Sequence, residues 1–221
     1  MVLTEDTGLI LEMALCIAFD TPYNGTFKYS MEEAQQLSHR FKSLTKKIPK
    51  LIHTARKGAR YDFSGKDDPS YHLSAKSTKK DGKVAPQVIG QPSVQKFCEL
   101  IGIKNEGIPA VKQYIQRNIA RILKLLVHYT FDSTIVYYNK SKNSIRLISL
   151  IVPIDWDSVQ YTWTRSYETW ENSSTLRVII NEKPISILEI QFHNTRSNMA
   201  IRWSFENLLL AFKNNFLIEN V

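Results

Sequence analysis

With 221 residues, 43% of them hydrophobic and 11% aromatic, the chain is long enough to bury a core and too apolar for global disorder. It has no apolar run of about 18 residues, which excludes a helical membrane span, and acidic residues precede its first apolar run, the wrong order for a secretory signal. The net charge of +8 is unevenly placed: Lys28 to Lys83 holds 14 Lys/Arg against 6 Asp/Glu, the whole surplus. Such a cluster either attracts phosphate backbones or forms a solvated basic face.

In chain order, Leu9–Phe19 is apolar except for Glu12 and predicts a buried helix. Tyr23-Asn24-Gly25 predicts a turn. Ser30 and Glu33 form a capping box, so a helix should run to about Leu44. The basic stretch 46–60 predicts helix and then loop. Strands are expected over Tyr71–Thr78 and Lys83–Ile89, joined by the two-residue hairpin signal Asp81-Gly82. Ser93 caps a short helix ending near Gly102, and Pro109 opens a longer one to about His128. On that helix Val111, Ile115, Ile119, Ile122 and Leu126 share a face. Arg117, Arg121, Lys124 and His128 lie opposite, either as solvated surface or as phosphate contacts. Strands follow at Thr134–Tyr138, Ser144–Ile151, Thr175–Ile180, Ile185–His193 and Met199–Phe205, then a helix over Glu206–Phe216. Leu188, Ile190 and Phe192 alternate with Glu189, Gln191 and His193, so one sheet face is polar. The expectation is a mixed α/β fold, a central mixed sheet flanked by helices. It is read as one domain in two parts, about 1–130 and a strand-rich part over about 131–221. Cys16 and Cys98 make no CxxC pair and read as buried free thiols of a reducing compartment.

The stretch Tyr61 to Ser77 carries the chemistry. Metal-assisted phosphodiester hydrolysis needs carboxylates to hold Mg²⁺ and an ammonium to orient water and offset developing charge. Asp62 on one strand, with Ser74 and Lys76 on one face of the next, supplies such parts if a turn at Gly65–Pro69 folds the strands together. Glu12, the only charge in an apolar helix, is a second candidate metal ligand beside Asp62; it could equally pair structurally. Asp67 and Asp68 read as turn residues. Counting back from the Asp81-Gly82 turn places Gln87 opposite Lys76, within reach of water or phosphate, although Pro86 disturbs a ladder.

This D-x11-SxK arrangement resembles the PD-(D/E)xK nuclease motif, with Ser74 where the family has Asp or Glu. The phrase from Leu73 to Ser93, with S-x-K followed by G-K-V-x-P-Q-V-I-G-Q, also resembles a stretch of certain type II restriction endonucleases, as does, more weakly, the terminal hairpin around Glu189–Trp203. The resemblance implies a restriction-endonuclease-like domain with its catalytic core over about 1–130 and DNA recognition over about 131–221, Mg²⁺ as cofactor, double-stranded DNA as substrate, 5′-phosphate products and the cytoplasm of a prokaryotic cell as the setting. A palindromic site would imply a homodimer, although monomeric relatives exist. Phosphate contacts are expected from Lys79, Lys80 and Lys83, and base contacts from Gln91, Asn194, Arg196, Asn198 and Arg202. Trp156, Trp163 and Trp170 read as core or interface rather than stacking platforms. No P-loop, G-x-G-x-x-G or G-x-S-x-G occurs, and His39, His53, His72, His128 and His193 have no zinc spacing. His72 either flanks the active site or is structural. Ser74 in the acid position leaves open a DNA-binding or regulatory protein without catalysis, and a repair or RNA-processing nuclease is a further alternative.

Overall fold

The structure is a computed structural model that describes residues 4–56, 59–79, 82–193 and 198–221. The helices and strands are, in chain order, α1 (Thr4–Ala18), α2 (Met31–Ser38), β1 (Leu51–His53), β2 (Phe63–Gly65), β3 (His72–Thr78), β4 (Lys83–Val84), α3 (Val94–Ile101), α4 (Ile108–Arg117) and α5 (Ile119–Phe131). Then come β5 (Thr134–Asn139), β6 (Ser144–Leu150), β7 (Tyr161–Trp163), β8 (Ser173–Ile180), β9 (Lys183–Phe192), β10 (Met199–Ser204), α6 (Phe205–Ala211) and β11 (Phe216–Asn220). The fold is mixed α/β. No helix among the described residues is long and apolar enough to cross a membrane.

The elements gather into two compact units. The first comprises Met1–Gly82, Ser133–Ile151 and Phe216–Val221, the second Lys83–Asp132 and Val152–Asn215. In the first, six strands run in the order β1-β2-β3-β5-β6-β11. Only the β3/β5 pair is parallel, so this sheet is mixed. Helix α1 packs against β3, burying Leu11, Ala14 and Leu15 in one cluster with Phe63, Leu73 and Val136. The second unit holds the antiparallel sheet β4-β10-β9-β8-β7. Its core combines aliphatic side chains with large rings: Trp156 and Trp170 are buried, and Trp203 donates its indole N–H to Thr130 Oγ1 at 2.8 Å. Trp156 and Trp170 are therefore core residues. Both cysteines are buried and free.

Local signals shape most elements. Ser30 Oγ accepts the Glu33 N–H at 3.1 Å, and Ser93 Oγ that of Lys96, also at 3.1 Å. Gly102 ends α3 at φ +72°, a conformation that glycine adopts without strain. The helix expected to reach Leu44 instead stops at Ser38. Ser38 Oγ bonds back to Gln35 O at 2.7 Å, and two 3-10 turns follow (His39–Phe41 and Leu44–Lys46). A spacing of three puts Phe41 and Leu44 on one side of such turns, and both are fully buried. The expected helix to His128 is two helices, parted at Asn118, whose side chain donates to the Tyr114 carbonyl.

The strand expected over Lys83–Ile89 covers only Lys83–Val84. Pro86 lacks an N–H, and Val88 has φ +60°. Its expected pairing is also corrected. β4 pairs with β10 (Val84 with Trp203), while β3 pairs with β2 and β5, where Lys76 faces Tyr137. No ladder places Gln87 opposite Lys76. The Asp81 half of the expected turn lies outside the described residues. Strands β1, β7 and β11 occur where no strand was expected, and the last helix stops at Ala211 rather than Phe216.

Candidate functional site

Asp62 sits where the first unit's sheet begins, directly before β2. Its carbonyl accepts two N–H groups, from Thr54 at 2.9 Å and Ala55 at 3.1 Å. Its carboxylate Oδ2 accepts the Ala75 N–H at 2.8 Å. The β2/β3 ladder ends at Phe63 with Leu73, so the carboxylate takes a strand donor that β2 no longer pairs. The turn between Gly65 and Tyr71 closes this hairpin: the Gly65 N–H donates to Tyr71 O, and Asp68 Oδ1 accepts from the Ser70 N–H and hydroxyl. Asp68 is thus a turn residue, as its sequence position suggests. A Cβ on Gly65 would lie 2.3 Å from the Asp68 carbonyl oxygen, so only glycine fits there.

Burial dominates at Asp62 and raises its carboxyl above the ordinary value of 3.8; the Lys76 charge lowers it, Glu12 raises it, and the Ala75 N–H lowers it. Lys76 on β3 and Glu12 on α1 are therefore both within electrostatic reach of Asp62. Glu12 is only 14% exposed, and its Oε2 lies 3.3 Å from Nε2 of the fully buried His53 on β1. The Tyr23 ring stacks on His53 at 4.5 Å, and its phenol is pushed up to about 12 by burial and then by Glu12. The Cys16 thiol is likewise raised to about 12, by burial and by Glu12. Glu12 thus acts, after burial, on Asp62, Tyr23 and Cys16 together.

Ser74 is fully buried, and its Oγ lies 2.9 Å from Ser133 Oγ. His72 stacks flat on Tyr61 at 4.0 Å, with Nδ1 at 3.2 Å from Ser64 Oγ. Gln87, in the second unit, is buried and its N–H donates to Tyr129 O at 3.0 Å. The residue that sequence reasoning passed over is His53. Its signal was the alternation Leu51-Ile52-His53, buried-exposed-buried in the structure but masked in sequence by basic neighbours.

Among the described residues no group of three or more His, Cys, Asp or Glu side chains is gathered to hold a metal ion. The donors fit a smaller demand. Mg²⁺ is commonly held by one or two carboxylates, completed by water and substrate phosphate oxygens. Asp62 and Glu12 are two carboxylates of that kind; burial raises the Asp62 carboxyl most, and Glu12 adds to it.

The expected DNA contacts fall on both units. In the second, Lys83 Nζ lies 2.8 Å from Glu189 Oε2, and Arg202 reaches the same oxygen at 3.5 Å and Gln191 Oε1 at 3.3 Å. They lie on the polar face of β9 and β10, opposite the buried Leu188, Ile190 and Phe192. Gln91 is exposed; Asn198 is partly buried, with its backbone bridged to Ser93. Lys79, in the first unit, is partly exposed. Lys80, Asn194 and Arg196 lie outside the described residues. Of the stripe on the helix pair, Arg121 donates to the Ile101 carbonyl and Tyr114 hydroxyl, and Lys124 pairs with Asp157, so these two serve local structure.

Against known proteins, the chain is 41% identical over 220 residues to the type II restriction enzyme CviAII of Paramecium bursaria Chlorella virus 1. The match takes in 98% of this chain, which spans 63% of the length of that relative. No family model matches the chain, and no solved structure matches it.

Proposed function

We propose that the protein is a type II restriction endonuclease that hydrolyses phosphodiester bonds of double-stranded DNA at a specific sequence, with Mg²⁺, leaving 5′-phosphate ends. The observation that carries this reading is the buried Asp62 carboxylate, bonded to the Ala75 N–H one residue from Lys76 and preceding the strand that pairs with His53, the partner of Glu12. The similarity to CviAII over nearly the whole chain supports it. Asp62 and Glu12 would hold Mg²⁺, which when bound supplies positive charge for the attacking and leaving oxygens. Lys76 orients the attacking water and offsets charge on the phosphate. The water oxygen bonds to phosphorus, the bond to the 3′ oxygen breaks, and that oxygen takes up a proton. Ser74, tied to Ser133, holds β3 and hence Lys76 in place. Lys79, Lys80 and Lys83 engage backbone phosphates, and Gln91, Asn194, Arg196, Asn198 and Arg202 read base edges.

The test is incubation with long unmethylated DNA of mixed sequence, with Mg²⁺ or with EDTA. Discrete fragments only with Mg²⁺ are expected, and Lys76→Ala should abolish them while sequence-specific binding persists. Full cleavage by that variant would sink the assignment. The buried, hydrogen-bonded Ser74 favours a second reading, a DNA-binding protein without catalysis. Sequence-specific binding that is indifferent to Mg²⁺, with intact DNA, would decide for it.

A further inference from the structure

The proposed site has a carboxylate, Glu12, delivered by a helix, and something must aim it. His53 has the geometry to do so. The Asn24 backbone N–H donates to His53 Nδ1 at 2.8 Å, so that nitrogen carries no proton. A ring accepting at both nitrogens would be an imidazolate. The neutral ring therefore bears its proton on Nε2, the nitrogen 3.3 Å from Glu12 Oε2. Nε2–H donates and the carboxylate accepts. The ring cannot turn away: Tyr23 stacks on it at 4.5 Å and 27°, Phe63 lies at 5.0 Å and 50°, and its side chain is fully buried. Backbone neighbours pin both ends, since β1 pairs His53 with Phe63 and the next residue on that strand is Asp62. One strand pair thus places the ring that holds Glu12 and the backbone that carries Asp62.

We propose that His53 is a positioning residue, whose Asn24-fixed Nε2–H holds Glu12 Oε2 so that the other Glu12 oxygen and the Asp62 carboxylate serve one divalent cation. This rests on the nuclease reading above and adds a residue to it. Groups behind a metal ligand commonly change metal affinity or activity by about 10- to 100-fold when removed.

The test combines spectroscopy with cation binding on the full chain. Ring-nitrogen NMR of the wild type should show His53 neutral and protonated on Nε2, and its signals should move in Glu12→Gln and on adding Ca²⁺, a probe that binds without supporting cleavage. By calorimetry, His53→Phe, which keeps the stacked shape without a donor, should lose about tenfold or more in Ca²⁺ affinity. His53→Gln, with an amide N–H where Nε2 stood, should recover most of it. A proton on Nδ1, or an imidazolium, would overturn the assignment, as would wild-type Ca²⁺ affinity in a folded His53→Phe. If His53→Phe does not fold, the wild-type tautomer and the Glu12→Gln shift decide alone. Wild type that neither binds Ca²⁺ nor cuts DNA with Mg²⁺ overturns the nuclease reading itself. Wild type that cuts, with Ca²⁺ affinity independent of the residue at 53, overturns only the role of His53.

Discussion

In the first unit Asp62 stands near a second carboxylate, Glu12, and burial holds it above the ordinary carboxyl range despite the charge of Lys76. In the second unit Lys112 is also enclosed, 8% exposed, yet its Nζ donates to the carbonyls of Trp170 at 2.5 Å and Glu171 at 2.8 Å, with the rings of Trp170 and Phe192 alongside. Burial lowers its pKa, with Glu171 opposing. Both groups are buried against their preference and both bond to backbone, Lys112 to two carbonyls and Asp62 to the Ala75 N–H, but only Asp62 lies within reach of a like charge. Lys112 is spent on clamping a turn. Asp62, with Glu12 acting against it, is the group on which the proposed cation site rests, since enclosure beside a like charge is a commoner sign of function than enclosure alone.

The largest effect should come from Lys76→Ala, a loss of cleavage of about a thousandfold with DNA binding retained, read from single-turnover rates and filter binding. Lys112→Met should do the opposite, costing about 1–2 kcal/mol of stability by leaving the buried Trp170 carbonyl unpaired, with the cleavage rate of the folded fraction unchanged. Urea unfolding and active-site titration check it. A loss of cleavage in folded Lys112→Met would erase the contrast between the units.

A smaller effect concerns pH. Asp62 binds its proton more tightly when folded than when unfolded, so raising pH above 3.8 removes a proton that the native state prefers to keep. Stability falls across that window and then levels once Asp62 is ionised in both states. Asp62→Asn imitates the protonated form. Without metal it should melt higher than wild type at neutral pH, and the gain should vanish below 3.8, as scanning calorimetry at the two pH values would show. A gain that persists in acid would point to packing rather than charge.

The smallest effect is expected at Glu189, which pairs with the half-exposed Lys83 and Arg202. Glu189→Gln should change stability by less than about 1 kcal/mol, since exposed pairs contribute little. It should strengthen non-specific DNA binding at low salt and steepen its salt dependence, by releasing two cations on the polar face of β9 and β10. Unchanged salt dependence would remove that face from the proposed DNA surface.

Much of this was legible in the linear chain because it is local. Ser30 and Ser93 cap helices three residues on, Gly102 ends one, and the alternation through Leu188–Phe192 orients β9; each uses neighbours a few residues away. The Asp62 hairpin was legible for the same reason, since the turn at Gly65–Pro69 brings Phe63 opposite Leu73. Glu12 stood out as a lone charge among apolar residues, a cost that needs compensation wherever the helix lands.

Tertiary structure decided what the chain's order leaves open: which strands pair, and which charge meets which. β4 follows β3 closely in sequence yet pairs with β10, so the local turn signal misdirected the register of Gln87. β1 has three residues, too few to show a period, and β11 is a strand by virtue of lying along β6. The proton on His53 depends on an N–H from Asn24, 29 residues earlier, and its target Glu12 lies 41 residues away. Side-chain type and local backbone preference are written in short range, whereas hydrogen-bond partners across a sheet and the charges that shift Asp62 exist only once distant segments have packed.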